Sequence, residues 1–295
     1  MRRIDWLAFA LLCGLSATSW MIRDAAADGL PSLERQGVLF GAIGVIAALF
    51  AGRKAWVRRG EWYARVSAAA VGLFGLPILI AEYSRDYVAG NVRGALYAMV
   101  PVVVVLVVAA GSGSEERGVR RFLLPALAGV GGLLLILPLS FSKTVSAWTM
   151  LGVICVVVIS VGAASVWLYQ LLREGGFAVE FALVGLVNAA VLLAGSAVHE
   201  EMVWRASGLA SVVSAASLVD VMEVLLIVWL VRVMSPVRFA ARYLLIPLLT
   251  VVEGFVVIRP ALTVRIAFGS FLLAAGAGVL LFFEPRDEEV PLSLR

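Results

Sequence analysis

The sequence contains little charge and few of the side chains that usually perform catalysis or bind metals. Charged residues make up 15% of its 295 positions, with one histidine and two cysteines. Cys13 and Cys155 both lie within apolar segments, which argues against a disulfide framework and a cysteine-rich metal site. We therefore expect no soluble catalytic domain, no nucleic-acid-binding module, no metal site and no cofactor.

Apolar residues make up 62% of the chain, and the mean hydropathy is +1.01. An ordinary soluble domain has roughly 25% charged residues. A soluble globule of this size could not bury so much apolar surface, so the lipid bilayer is a predicted partner. Apolar runs of about 20 residues without strict alternation favour helices over barrel strands. The predicted fold is therefore an all-α polytopic membrane protein.

Ten apolar segments are long enough for transmembrane helices. They lie at about 5–22, 33–51, 64–84, 89–110, 122–139, 147–172, 179–198, 208–233, 236–258 and 262–283. The start of the chain has some features of a signal peptide, but Asp5 and Trp6 are poor signal-peptide residues.

Loop charges predict the orientation. With the N-terminus placed in the cytoplasm, the Lys and Arg residues on the cytoplasmic side outnumber those on the opposite side by about two to one. Arg238 and Arg242 are counted on the cytoplasmic side. This bias predicts a multi-pass protein of a cytoplasmic (inner or plasma) membrane. Both termini are expected in the cytoplasm, with an even number of spans.

The two halves of the chain resemble each other at an offset of about 147 residues. The matched positions are Val66–Ala69 with Val213–Ala216, Trp20 with Trp167, Arg85 with Arg232, Gly129 with Gly276, Gly131 with Gly278 and Pro138 with Pro285; one residue fewer separates Tyr97 from Tyr243 and Pro101 from Pro247. Five helices per half reverse the direction of the second half. We therefore predict two inverted five-helix repeats, at 1–140 and 141–295, as in many secondary transporters.

The chain resembles the drug/metabolite transporter superfamily, in its EamA-like group of ten-helix carriers. The segment from Asn91 to Pro101 resembles the small-residue fourth helix that leads to a proline, and 235–247 resembles its counterpart in the ninth. Leu262-Thr263 with the following glycines resembles the final helix. The resemblance implies a carrier that moves a small metabolite by alternating access, and efflux of an amino-acid-like or amphipathic solute is expected.

Asp220 and Glu223 are the clearest candidates for a transport role. They lie three residues apart well inside the eighth segment, so they share one helix face. Ionisable groups within a bilayer are costly and usually face a cavity or a partner. The pair is expected to take up and release a proton during transport, which makes protons a candidate coupling ion. The alternative is a structural pairing with an arginine such as Arg93 or Arg265.

Other polar and aromatic residues within the apolar segments are weaker candidates for a substrate or proton pathway. They are Arg93, which could hold an anionic group, the repeat-equivalent pairs Tyr97/Tyr243 and Trp20/Trp167, Asn188 and Glu82. Interfacial anchoring is the alternative role for the tryptophans, bonding to a neighbouring helix for Asn188, and an interfacial ion pair with Arg85 for Glu82. Pro101 and Pro247 are expected to kink their helices symmetrically.

Two other classes of protein remain open. Glu200-Glu201 followed by Arg205 fits the EExxxR pattern of glutamic intramembrane proteases, but the single histidine, His199, precedes the motif and no later helix supplies another. A membrane scaffold without transport would need neither the buried carboxylates nor the paired prolines. The sequence favours the carrier, and the oligomeric state is not predicted.

Overall fold

The computed structural model is helical throughout the part that it describes. It describes residues 2–24, 30–52, 56, 58–111, 121–137, 144–174, 176–201, 214–259 and 261–283, and these contain no strand. Seven helical segments are long and apolar enough to cross a membrane: Ser32–Ala51, Gly60–Tyr83, Gly90–Gly111, Val145–Leu171, Phe177–His199, Pro236–Val257 and Val264–Phe282. Large apolar side chains such as Phe50 and Leu49 stay exposed on these helices. The chain is therefore a polytopic helical membrane protein.

The described residues form thirteen α-helices. They are α1 (Arg3–Asp24), α2 (Ser32–Ala51), α3 (Gly60–Ala70), α4 (Leu76–Tyr83), α5 (Gly90–Tyr97), α6 (Val100–Gly111), α7 (Leu123–Ile136), α8 (Val145–Leu171), α9 (Phe177–His199), α10 (Ala215–Val233), α11 (Pro236–Ala240), α12 (Arg242–Val257) and α13 (Val264–Phe282). Each of the ten predicted apolar segments overlaps at least one of these helices. That all ten cross the membrane stays a prediction.

Three of the predicted spans are interrupted. Between α3 and α4 the chain forms a π-helix at Val71–Gly75, which ends two residues before Pro77, whose ring nitrogen has no proton to donate. The fourth span breaks between Tyr97 and Val100, and the ninth span breaks at Ala241. Each interruption leaves backbone groups outside the regular hydrogen-bond ladder, which is where membrane helices commonly build polar sites.

The chain divides into two compact units, and they are not its two sequence halves. Unit 1 comprises residues 1–85 and 167–234, and unit 2 comprises residues 86–166 and 235–295. Each unit therefore takes helices from both predicted repeats. The repeat boundary near 140 lies outside the described residues and stays a prediction.

In unit 1, α2 and α9 cross closely in antiparallel directions. A Cβ atom on Gly37 would lie 2.7 Å from the Leu193 side chain, and one on Gly44 would lie 2.6 Å from the backbone nitrogen of Leu186. Contact positions that rise along α2 fall along α9, which defines the antiparallel arrangement. Small residues allow this approach because they let two helix backbones come together. Helix α1 packs on α10 in the same unit.

In unit 2, α7 and α13 form a second antiparallel pair. A Cβ atom on Gly132 would lie 2.5 Å from the Gly269 carbonyl oxygen, and one on Gly276 would lie 2.9 Å from the Gly129 Cα atom. Both glycine pairs are therefore points of backbone contact. Helix α12 also packs on α13, and α11 packs on α6.

Candidate functional site

Three of the predicted candidates meet in unit 2. Arg93 and Tyr97 lie one turn apart on α5 and share a face of that helix. Tyr97 interacts electrostatically with both Arg93 and Tyr243, the latter on the first turn of α12. Each of the three residues is half-buried. Two interrupted spans thus bring two phenols and a guanidinium together, and we call this group, with the arginine described next, the tyrosine–arginine cluster.

Arg242 is the fourth member of the tyrosine–arginine cluster, and the sequence analysis missed it. Its Nη2 donates a hydrogen bond to the Tyr243 hydroxyl at 2.8 Å. The guanidinium also lies 3.9 Å from the centre of the Phe239 ring. Counting Arg242 and Arg238 as loop charges was wrong, because both lie within the span Pro236–Val257. Their positions inside the predicted ninth segment were the available signal.

The predicted prolines stand next to this cluster. Pro101 lies in the first turn of α6, directly after the break that follows Tyr97, where its missing N–H removes no helical hydrogen bond from a helix interior. The predicted kink in the fourth span is therefore a break. Pro247 lies inside α12, four residues after Tyr243, so it leaves the Tyr243 carbonyl without its usual helical donor.

Asp220 belongs to unit 1 and is buried, with 4% of its surface exposed. Its Oδ2 accepts a hydrogen bond from the Gln36 side chain at 3.0 Å and lies 4.0 Å from Nη2 of Arg35. The alternative of pairing with an arginine therefore has a structural basis, with an arginine on α2 that was not considered for this role. Arg265, one of the two considered, donates to the Leu135 carbonyl in unit 2.

Glu223 lies one turn after Asp220 on α10 and is half-buried. The two carboxylates share a helix face as the spacing requires. Together with Gln36 and Arg35 they form a polar group within apolar helices. A proton pathway through this group requires that water reach one of the two carboxylates.

A buried ion pair in unit 1 also escaped the sequence analysis. Glu180 is fully buried in the first turn of α9, and its Oε2 lies 3.3 Å from Nε of Arg232 on α10. Arg232 had been matched with Arg85 only as a repeat position. Glu34, in the first turn of α2, is also fully buried. Both glutamates lie at the first residues of predicted segments, where a charged side chain is expected at the membrane boundary and attracts no notice.

Asn188 lies fully buried in α9 and does not bond to a neighbouring helix as expected. Its side-chain amide donates to the Val184 carbonyl of its own helix at 2.8 Å. Its Oδ1 has no hydrogen-bond partner among the described residues. That oxygen lies against Gly75, where an added Cβ atom would be 2.6 Å away. Asn188 therefore packs directly on the π-helix of the third span.

Two of the three remaining candidates, Glu82 and Trp167, lie towards the surface. Glu82 pairs with Arg85 at 3.4 Å, the interfacial ion pair given as its alternative role. Trp167 is half-exposed on α8, in keeping with an anchoring role. Trp20 lies in α1, and its side chain is outside the described residues. Glu82 and Trp167 belong to unit 1, whereas the tyrosine–arginine cluster belongs to unit 2.

Glu200, from the protease-like pattern, acts as a helix cap. Its two carboxylate oxygens accept hydrogen bonds from the backbone nitrogens of Leu33 and Glu34, at 3.0 and 3.1 Å. Pro31, at the N-cap position of α2, makes no capping bond, so Glu200 satisfies amides that would otherwise lack partners. Ser196 also donates to Glu200 at 2.8 Å. Arg205, which completes the pattern, lies outside the described residues.

Comparisons with known proteins support the fold and leave the activity open. No protein-family model and no curated protein matches the chain. A solved structure described as "Crystal structure of protein" is similar, with a TM-score of 0.69 and 20% sequence identity, over 96% of this chain and 100% of that one. At that identity the similarity concerns the fold alone. A solved protein of closely similar extent therefore shares this helical architecture.

Proposed function

We propose that this chain is a secondary transporter of the EamA-like type in the drug/metabolite transporter superfamily. It exports a small amino-acid-like or amphipathic metabolite by alternating access, without a cofactor. Ten helices cross a cytoplasmic membrane as two inverted five-helix repeats, with both termini in the cytoplasm. A protein made only of packed apolar helices would not need the polar groups described above, whose burial within a bilayer is costly.

One observation carries this proposal: helices that the predicted repeat would make equivalent pair with each other in antiparallel directions. Gly129 and Gly276, separated by the repeat offset of 147 residues, are in backbone contact. When two copies are related by a two-fold axis, a residue meets its own counterpart only near that axis. An axis that also reverses helix direction is the axis of an inverted repeat, the usual construction of secondary transporters.

The α2–α9 pair supports the same symmetry in unit 1. Gly41 of α2 lies against Ala189 of α9, so these two helices also cross close to equivalent positions. Glu34 and Glu180 are 146 residues apart, and each is buried in the first turn of its helix. Because α2 and α9 are antiparallel, the two carboxylates stand at opposite ends of the pair. A carrier that opens alternately to the two sides of the membrane would have equivalent carboxylates at the two ends of such a helix pair.

The interrupted fourth and ninth spans support a solute site in unit 2. Transporter sites typically form where discontinuous helices expose backbone groups near the middle of the membrane. Tyr97 and Tyr243 occupy equivalent places in the two spans, each four residues before a proline. The paired breaks therefore suit a binding role.

Proton coupling through Asp220 and Glu223 is tested in proteoliposomes. A thermal-shift screen of the purified chain against a metabolite library first identifies a stabilising solute, because a ligand that binds only the folded state raises its stability. Radiolabelled uptake of that solute is then measured with and without an imposed pH gradient. In the D220N/E223Q double variant we expect gradient-driven accumulation to fall to the level of empty liposomes. Solute exchange without a gradient should continue.

The matched control is E61Q, which removes an exposed carboxylate whose partner is Arg65, one turn away on α3. Its gradient-driven uptake should equal that of the wild type. Full accumulation in D220N/E223Q would exclude coupling through this pair. Failure of the wild-type protein to transport any stabilising solute would contradict the carrier itself.

A further inference from the structure

Arg242 carries a charge that the described structure does not balance. The residue is 5% exposed and lies six residues inside the span that begins at Pro236. Its Nη1 atom has no hydrogen-bond partner among the residues that the structure describes. An isolated guanidinium at such a depth is costly unless an anion or a set of acceptors surrounds it. The remaining question is which group supplies the negative charge.

The contacts of Arg242 supply one acceptor and no negative charge. Nη2 donates to the Tyr243 hydroxyl, and the guanidinium faces the Phe239 and Tyr243 rings at 3.9 and 4.7 Å. Aromatic faces attract cations, but they do not neutralise them. The planar guanidinium is therefore held in position, with one edge unused.

No acidic side chain described in unit 2 can neutralise Arg242. The described acids of this unit are Asp86 and Glu253. Asp86 is exposed, and Glu253 is eleven residues further along α12, about 16 Å at the rise of an α-helix. The described acids of unit 2 therefore leave the Arg242 guanidinium without a negative partner in this unit.

We propose that Arg242, with Tyr243, Tyr97 and Arg93, binds the carboxylate of a small organic solute. This inference rests on the proposed transport function and names its substrate class. A guanidinium fork matches a carboxylate in bidentate geometry, and two phenol hydroxyls can donate to the same oxygens. A monoanion balances the single unpaired charge of Arg242. Tyr97 and Tyr243 are both half-buried, so neither hydroxyl belongs to a fully buried residue.

The test measures binding, with no need for transport. The full-length protein is placed in nanodiscs of zwitterionic lipid, and its unfolding temperature is followed by tryptophan fluorescence. Benzoate is titrated at constant ionic strength, alongside the neutral benzamide, inorganic phosphate, and nanodiscs that contain phosphatidylglycerol. We expect benzoate to raise the unfolding temperature saturably by several degrees and benzamide to leave it unchanged.

Substitutions locate the effect. R242Q should abolish the response to benzoate, and Y243F should weaken it at least several-fold while keeping the buried charge. The matched control is R265Q, because Arg265 lies in the same unit and donates instead to a backbone carbonyl. Its response should equal that of the wild type. If R242Q does not fold, the comparison of Y243F with R265Q still tests the assignment.

The other outcomes overturn either the carboxylate site or the carrier. A response to phosphate and none to benzoate would assign a different anion, and a response to phosphatidylglycerol alone would assign a lipid headgroup. Equal responses in wild type and R242Q, or no response at all, would exclude a carboxylate site at Arg242. Benzoate binding without transport of any solute would contradict the carrier and keep the site. Transport limited to neutral solutes would contradict the carboxylate site and keep the carrier.

Discussion

Charged side chains within the apolar helices have contrasting surroundings. Glu180 is fully buried and has a cationic partner in Arg232 at 3.3 Å. Arg242 is nearly as buried, yet its nearest groups are aromatic rings and a hydroxyl. In the Glu180–Arg232 ion pair each charge is balanced by the other, so the pair mainly maintains helix packing. Arg242 has no such partner among its described contacts, so a bound anion can supply the missing charge.

The Glu180–Arg232 pair gives a prediction at the scale of residues. Removing one partner of a buried pair leaves the other charge uncompensated, which typically costs about 3–5 kcal/mol. We therefore expect E180Q to lower the unfolding temperature in detergent by several degrees. The double variant E180L/R232M, which leaves no buried charge, should recover most of that loss. Thermal unfolding followed by tryptophan fluorescence provides the measurement.

The control for this prediction is E61Q. Glu61 and Arg65 form an exposed pair one turn apart, and such pairs contribute at most about 1 kcal/mol. The unfolding temperature of E61Q should therefore stay close to that of the wild type. Equal destabilisation by E180Q and E61Q would show that burial of the Glu180 pair has no energetic consequence.

Helix pairing in unit 2 depends on which glycine of α7 faces α13. A Cβ atom on Gly132 would meet the Gly269 carbonyl oxygen at 2.5 Å and the Leu273 backbone nitrogen at 2.8 Å. Neither atom can move away without shifting a helix. A Cβ atom on Gly131 would meet nothing within 4 Å. Two adjacent residues of one helix therefore offer a matched comparison.

We predict opposite effects of alanine at these two positions. G132A should destabilise the protein by about 1–3 kcal/mol, because the added methyl group overpacks a backbone contact. G131A should be neutral or stabilise by up to about 1 kcal/mol, because alanine is a better helix former than glycine. Unfolding temperatures of the two variants, in the same detergent, provide the measurement. Equal losses would mean that α7 does not present Gly132 to α13.

The sequence predicted the helices well and their interruptions poorly. Apolar runs locate helices because a bilayer leaves the backbone no other way to pair its polar groups. The π-helix at Val71–Gly75 has no such signature, because an ordinary helix would accept the same residues. The prolines predicted kinks at Pro101 and Pro247, whereas the structure has breaks between Tyr97 and Val100 and at Ala241. Pro77, in the third span, was not considered.

The sequence identified most residues of the candidate site, but it did not predict which of them lie together. Arg93, Tyr97 and Tyr243 were each singled out, and the structure brings them together. Arg242 was counted as a loop charge because that count does not distinguish arginines just inside the end of an apolar segment from arginines in the adjoining loop. Pairing of Asp220 with an arginine such as Arg93 or Arg265 was the alternative to a proton-transfer role, and the residues that face it are Arg35 and Gln36 on α2. Such pairings depend on helix contacts that a single sequence does not contain.

At the scale of the whole molecule, the number of spans determines the topology. Seven described helical segments meet the length and hydropathy expected of a span, and α1, α7 and α10 are the other three of the predicted ten. Ten spans place both termini on one side of the membrane, whereas seven place them on opposite sides. Helix α7 is the decisive case because its 14 residues extend only about 21 Å.

We predict that α7 nevertheless crosses the membrane. Gly111 ends α6 and Thr144 precedes α8, so a crossing α7 puts these two exposed positions on opposite sides. In a background without Cys13 and Cys155, G111C should react with a membrane-impermeant maleimide only after permeabilisation, whereas T144C should react in intact cells. The same labelling of E201C and S235C tests α10, with Glu201 outside and Ser235 inside. A hydrocarbon core of about 30 Å must thin locally around α7, which costs only fractions of a kcal/mol per ångström. Labelling of Gly111 and Thr144 from the same side would remove a span from the first repeat, and the inverted arrangement on which the transport mechanism depends would no longer hold.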